Sequence, residues 1–99
     1  MPCYAVGHIT VTNMEGYKEY AAQVPATIAK WGGRYLVRGG HTTVIEGEMA
    51  QDRHVVVEWP DRATAEGWYN SPEYQEILKI RLANSHGVMT LMDGFEGQV

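Results

Sequence analysis

The order of secondary-structure patterns constrains this chain more than any other feature of its sequence. Segments with the two-residue alternation of strands and segments with the spacing of amphipathic helices follow one another as β-α-β-(β)-β-α-β. An antiparallel sheet that carries both helices on one face satisfies this order. The sequence therefore predicts an α+β fold, and its 99 residues are expected to form one domain, residues 1–99.

The first strand and the first helix have the clearest patterns. In "YAVGHITVT", residues 4–12, alternation places one set of side chains on each face of a strand: Ala5, Gly7, Ile9 and Val11 against Tyr4, Val6, His8 and Thr10. Asn13 is a suitable N-cap for a helix whose apolar stripe ends at Gly32 and Gly33. Pro25 interrupts that helix. Because it has no N–H to donate to the Ala21 carbonyl, we expect a kink or a break there.

The remainder of the chain completes the pattern. "RYLVR" predicts a strand with Arg34, Leu36 and Arg38 on one face, and "TTVIEG", residues 42–47, predicts a short returning strand. "HVVVEWP" and "GVMTLMDG" are further strands, separated by two helical stretches that Asp61 and Ser71 can cap. The result is the split βαβ or ferredoxin-like arrangement.

The strands carry apolar residues on both of their alternating faces. Val55, Val57 and Trp59 oppose Val56, and Met89 opposes Val88. An antiparallel sheet with one hydrated face alternates more cleanly than this. We therefore expect the sheet face without helices to be buried against a second copy of the chain in a two-fold homodimer.

Composition and charge exclude several classes of protein. The net charge is -4 and the eight Lys and Arg residues are scattered, which argues against binding to nucleic acid or to anionic lipid. No apolar run approaches the length of a membrane helix, and "MPCYAVGHITVT" lacks the features of a signal peptide. The single cysteine, Cys3, forms no internal disulfide. We expect a cytoplasmic protein.

Several segments together resemble one known family. "YKEYAAQVPATIAKWGGRYLVRGG", "IEG", "WYNSPEYQEI" and the terminal "DG", in this order and spacing, are similar to the bacterial family of domain of unknown function 1330. That family resembles a branch of the dimeric α+β barrel superfamily, which includes cofactor-free monooxygenases and isomerases. The resemblance implies the fold, the dimer and a ligand pocket between helices and sheet, and it implies no reaction.

Arginines and tyrosines are the predicted ligand-binding residues. Arg38 either pairs with a carboxylate such as Glu46 or Glu58, or binds an anion through its planar guanidinium. Arg81 falls on the apolar stripe of a helix, where it needs a partner or a route to solvent. With the pocket that the resemblance implies, the predicted ligand-binding set is Arg38, Tyr35, Tyr69, Tyr74 and Arg81.

The predicted proton acceptors are His41 and Glu58. His41 follows a glycine pair and is suited to a pocket mouth, while Glu58 lies in an apolar strand and needs a cation partner or a raised pKa. The four histidines show no spacing typical of zinc ligands, so neither a metal site nor a cofactor is predicted.

Two functions of different classes stay open at this point. One is a homodimer that binds a small anionic or carbonyl-bearing molecule, with cofactor-free oxygenation or isomerisation as a catalytic variant. The other is a non-catalytic dimer that serves structure or protein association. The sequence does not decide whether the protein is an enzyme.

Overall fold

Four antiparallel strands and three helices make up the fold. The computed structural model describes all residues, 1–99. The elements are β1 (Cys3–Val11), α1 (Met14–Lys30), β2 (Arg34–Arg38), β3 (Arg53–Trp59), α2 (Arg62–Asn70), α3 (Pro72–Asn84) and β4 (Ser85–Asp93). The strands form one sheet in the order β2-β3-β1-β4, and all neighbouring pairs are antiparallel. This is the predicted α+β, ferredoxin-like arrangement, with the second helical region divided into α2 and α3.

Each helix begins at the side chain that the sequence predicts as its N-cap. The Asn13 side-chain oxygen accepts a hydrogen bond from the N–H of Gly16, and Asp61 accepts one from Thr64. The Ser71 hydroxyl accepts from the N–H of Tyr74 and starts α3 directly after α2. These contacts satisfy helix N–H groups that would otherwise have no partner inside the helix. The three predicted N-caps are therefore confirmed.

Pro25 does not break α1. The helix is continuous from Met14 to Lys30 with Pro25 inside it, so of the two predicted outcomes, a kink or a break into two pieces, the break does not occur. The apolar stripe of α1 is buried at Tyr17, Tyr20, Val24 and Ile28, on both sides of the proline. Packing of this stripe against the sheet holds the helix together across a site where local chemistry disfavours it.

The predicted returning strand at residues 42–47 is absent. Residues 39–52 form an exposed connection between β2 and β3, and Ile45 is 90% exposed. β2 is the edge of the sheet and no further strand lies beyond it. Because strand propensity acts through cross-strand packing, the β-branched residues of this segment have no partner that would order them as a strand.

The register of the sheet separates an inner face, under the helices, from an outer face. Ala5 pairs with Val57 and Leu91, while Val6 pairs with Val56 and Thr90. Cys3, Ala5, Gly7 and Ile9 are buried and the alternate residues of β1 are partly exposed, as predicted. Trp59, Trp68 and Tyr74 are the largest fully buried side chains of the core between helices and sheet.

The outer face has no cover within one chain. Val88 and Met92 on β4 are 51% and 50% exposed, and Val37 on β2 is 40% exposed. At the centre of this face, the Nδ1 atoms of His8 and His54 lie 2.9 Å apart across β1 and β3. None of the three helices is both long enough and apolar enough to cross a membrane.

Candidate functional site

A narrow cavity lies between α1 and the inner face of the sheet. Its volume is about 30 Å³, which is room for about two water molecules or a group of similar size. Twelve of the 14 lining residues are hydrophobic. They come from α1, α2 and all four strands: Ala5, Ile9, Tyr17, Tyr20, Ala21, Val24, Ile28, Tyr35, Arg38, Arg53, Val55, Val57, Trp68 and Met89.

Two arginines supply the charge of this cavity. Arg38 lies at the end of β2 and Arg53 at the start of β3, and neither forms a salt bridge. The Arg53 guanidinium carbon lies 5.6 Å from the centre of the Tyr17 ring, and its Nε is buried without a hydrogen-bond partner. No Asp, Glu or His lines the cavity. The lining therefore carries uncompensated positive charge next to an apolar space.

A β-bulge in β2 brings Arg38 to this cavity. Arg34 pairs with Glu58 and Tyr35 with Val57, but Val37 pairs with Val56 and Arg38 with Val55, so the register shifts between Tyr35 and Val37. The extra residue reverses the alternation. Arg38 therefore lies on the inner face and Arg34 on the outer face, and the prediction that they share a face is wrong.

Arg38 is held by a carbonyl of α1 and not by a carboxylate. Its Nη2 donates to the backbone oxygen of Ala21 at 2.7 Å, and its guanidinium carbon lies 4.9 Å from the centre of the Tyr35 ring. The pairing with Glu46 or Glu58 that the sequence left open is not formed. The Ala21 oxygen is the one that Pro25 leaves without a helical donor, so Arg38 satisfies it.

Tyrosine hydroxyls lie behind the cavity wall. The hydroxyls of Tyr20 and Tyr74 are 2.9 Å apart, and burial, followed by the neighbouring Tyr74, raises the pKa of Tyr20. Arg81 is 6% exposed, and its guanidinium carbon lies 5.9 Å from the centre of the Tyr20 ring. It has no carboxylate partner, and its Nε is buried without a hydrogen bond. Both tyrosines thus stay neutral and can exchange hydrogen bonds at physiological pH.

A wider cleft adjoins the narrow cavity. Its volume is about 290 Å³, and it is lined by Glu66, Trp68, Tyr69, Asn70, Met89, Thr90 and Leu91. Trp68 and Met89 line both spaces. The predicted residue Tyr69 therefore belongs to the cleft, Tyr35 and Arg38 belong to the cavity, and Tyr74 and Arg81 lie behind the Tyr20 wall.

The two predicted proton acceptors lie away from the cavity. Glu58 projects on the outer face, where it accepts hydrogen bonds from Arg34 Nε at 2.7 Å and from the Tyr4 hydroxyl at 3.1 Å. His41 lies in the exposed 39–52 connection, with its Nε2 3.3 Å from the Thr43 hydroxyl. The structure brings neither of them to Arg38. Glu58 has the cation partner that its strand position required.

The Glu58 pair predicts a pH-dependent contribution to stability. The hydrogen bond from Arg34, and then that from Tyr4, lower the pKa of Glu58. A carboxyl whose pKa is lower in the folded chain stabilises the fold above its unfolded pKa, and this contribution is lost as pH falls through the folded value. In urea unfolding, the deficit of Glu58→Gln against wild type should shrink between about pH 6 and about pH 3.

Glu48→Gln, in the exposed 39–52 connection, controls for the change in net charge. A Glu58→Gln deficit that stays constant over this pH range would contradict the lowered pKa.

Sequence reasoning missed three residues that line the cavity: Tyr17, Tyr20 and Arg53. The signal for Arg53 was present, because strand alternation places it on the same face as Val55 and Val57. Tyr17 and Tyr20 lie on the predicted apolar stripe of α1, where an aromatic ring is expected to pack in the core. In the whole chain, no three His, Cys, Asp or Glu side chains are grouped so that they could hold a metal ion.

Known structures with this fold come from several bacteria. A protein of unknown function from Rhodopseudomonas palustris, RPA0582, superposes with a TM-score of 0.74 at 16% identity, covering 96% of this chain and 83% of that one. A dimeric ferredoxin-like protein of unknown function from Jannaschia sp. CCS1 gives 0.68 at 11% identity, covering 95% and 100%. SnoaB from Streptomyces nogalater, a cofactor-independent oxygenase, gives 0.64 at 16% identity, covering 96% and 94%. At these identities the similarity establishes the fold alone.

A sequence profile identifies the family of this chain. The sequence profile of the DUF1330 family, a domain of unknown function, matches residues 2–95. No curated protein sequence matches the chain significantly.

Proposed function

The chain belongs to the DUF1330 family, and on that basis we propose that it is a single-domain cytoplasmic homodimer that binds a small anionic molecule between helices and sheet. Arg38 and Arg53 receive the anionic group. Tyr35 and Tyr17 hold the two guanidinium groups through their ring faces. The apolar remainder of the cavity excludes water and strengthens the charge interaction.

One observation supports this proposal above all others. Two arginines line one cavity, and no carboxylate lies among its lining residues. Both arginines lie next to an apolar space without a carboxylate partner, so their charge is available to a ligand of opposite sign. Planar guanidinium groups match carboxylate and phosphate oxygens in geometry as well as in charge.

The sizes of the two spaces favour a ligand with a compact head group. The 30 Å³ cavity accommodates about two atoms of the size of a water oxygen, such as the two oxygens of a carboxylate, and the adjoining 290 Å³ cleft offers space for a larger body along Trp68 and Tyr69. Met89 borders both spaces. Rotation of this flexible side chain would join them.

The homodimer completes the proposal because the outer face is uncovered and carries exposed apolar side chains. Val37, Val88 and Met92 are all at least 40% exposed in one chain. A second copy that packs its own outer face here would bury both patches at once, as two-fold interfaces do. The dimeric protein of the same fold from Jannaschia sp. supports this arrangement.

A cofactor-free oxygenase or isomerase is the catalytic alternative. The SnoaB structure shows that this fold can carry cofactor-independent oxygenation in another protein. Here the cavity presents arginines, tyrosines and apolar groups, and the acid–base residues His41 and Glu58 lie elsewhere. This composition favours binding over proton abstraction by a carboxylate or imidazole.

Native mass spectrometry of untagged protein, purified gently from cells, tests the proposal. We expect a dimer with an additional small mass that is released on activation. Arg38→Met should lose this mass and stay dimeric, because the substitution removes one of the two cavity charges and leaves the outer face unchanged. Lys18→Met is the matched control: it removes one positive charge from the exposed surface of α1, away from both the cavity and the outer face, and should retain the mass.

Three results would contradict the proposal. A monomeric mass for the wild-type protein would contradict the proposed homodimer. Equal retention of the additional mass by Arg38→Met and wild type would contradict the proposed ligand site. A clean wild-type dimer that also fails to gain thermal stability from a panel of small carboxylates would favour the non-catalytic structural dimer. Arg81→Met adds a further check, since unfolding of that variant would mark Arg81 as a structural residue.

A further inference from the structure

A proline inside a long helix requires an explanation. Pro25 lies well inside α1, where it removes a helical hydrogen bond and its ring pushes against the carbonyl of the residue four positions earlier, Ala21. The ring is only half-buried, so core packing alone does not account for it. Local sequence chemistry would favour almost any other residue here.

The carbonyl that Pro25 releases has a specific use. Ala21 lines the cavity, and its oxygen accepts the 2.7 Å hydrogen bond from Arg38 Nη2. With an ordinary residue at position 25, a backbone N–H would take one of the two acceptor positions of this oxygen, along the helix axis. Arg38 would then have to share the oxygen with that N–H, and its other contact is the ring of Tyr35, 4.9 Å from its guanidinium carbon.

We propose that Pro25 is a positioning residue for the ligand site: by withholding an N–H from the Ala21 carbonyl, it leaves that oxygen free to hold Arg38 at the cavity. This inference rests on the proposed binding function for its biological purpose. One donor of Arg38 is committed to Ala21, and the other N–H groups of its planar fork remain for an anion. Restricting the side chain in advance lowers the entropy cost of ordering it when the ligand arrives.

Pro25→Ala separates this role from a structural one. It restores the helical N–H, so the thermal midpoint should stay unchanged or rise, while the hydrogen bond from Arg38 to the shared Ala21 oxygen weakens. Phenylglyoxal, which condenses with accessible guanidinium groups, is the probe, and peptide mass spectrometry reads the labelling rate at each arginine. We expect the rate at Arg38 to increase several-fold in Pro25→Ala.

Two further variants act as controls. Pro72→Ala changes the exposed proline in the first turn of α3, which frees no interior carbonyl, and it should leave the rate at Arg38 unchanged. Pro25→Gly also restores the N–H but is a poor helix former, so its thermal midpoint should be lower than that of Pro25→Ala. The rate at Arg38 should nevertheless rise in both variants.

The outcomes distinguish this inference from the proposed function. An unchanged rate at Arg38 in Pro25→Ala and Pro25→Gly overturns the positioning role, whatever the protein binds. Loss of the retained mass from Pro25→Ala, together with equal or higher stability, supports the positioning role. Replacing a residue that serves only the fold would not stabilise the protein and weaken ligand binding at the same time. A wild-type protein without any ligand contradicts only the proposed function, and the labelling rates still decide how Arg38 is held.

Discussion

Gly87→Ala should disrupt the pairing of β4 with β1 and cost about 3 kcal/mol of the free energy of unfolding. Gly87 pairs with Ile9 in the β1–β4 ladder, and its φ is +157°. A Cβ at this position would overlap the backbone oxygen of His8 and lie 3.0 Å from the Cα of Ile9. Since the obstacle is backbone in the central strand, no side-chain rotation relieves it. The sheet must open or shift its register.

Chemical denaturation followed by far-ultraviolet circular dichroism measures this loss, and hydrogen exchange shows where it occurs. Protection should fall mainly in β1 and β4. Gly40→Ala is the matched control, because a Cβ there meets no atom within 4 Å, and it should shift stability by no more than about 0.5 kcal/mol. A Gly87→Ala protein with wild-type stability and exchange would show that the β1–β4 ladder is placed wrongly.

Trp68→Ala should be the most damaging substitution in the helical layer, with a loss of about 3–5 kcal/mol. The Trp68 ring is 2% exposed and its centre lies 4.0 Å from that of Tyr74 and 4.8 Å from that of Trp59. Its indole N–H donates to the Thr27 hydroxyl at 3.0 Å, which ties α2 to α1. The substitution therefore removes a large buried area, two ring contacts and a connection between helices.

The loss expected for Trp68→Ala is large relative to the total stability of a small domain. Small domains have about 5–15 kcal/mol of total stability, so the thermal midpoint of Trp68→Ala should fall by at least about 12 °C. Trp68→Phe keeps an aromatic ring and loses the hydrogen bond, so its midpoint should fall between those of Trp68→Ala and wild type. Phe95→Ala removes an aromatic ring that is 83% exposed and should change little. Equal stability of Trp68→Ala and Phe95→Ala would refute the assignment of Trp68 to the core.

Features that depend on a few neighbouring residues were predictable from the sequence. The caps at Asn13, Asp61 and Ser71 act over three residues, and the alternation in β1 needs only its own side chains. Element order then restricts the topology to very few arrangements. The fold class followed from these local signals.

Features that depend on a partner strand or helix were not predictable. Residues 42–47 have strand-forming side chains, but the sheet ends at β2. Pro25 breaks isolated helices, but in this fold the buried stripe of α1 keeps the helix intact and Arg38 takes the place of the missing donor. Glu58 and His41 have side chains that can accept a proton, but the tertiary fold places Glu58 on the outer face and His41 in the exposed connection.

The single inserted residue in β2 has a consequence for how such a site arises. The bulge absorbs one extra residue, so Val37 and Arg38 keep the partners that they would have in a strand one residue shorter. Loss of Leu36, which has no partner in the ladder, would leave Arg38 opposite Val55 on the inner face, whereas straightening of the bulge without that loss would turn Arg38 to the outer face. The charge of the cavity therefore depends on how the strand accommodates its extra residue, and not on the presence of an arginine alone.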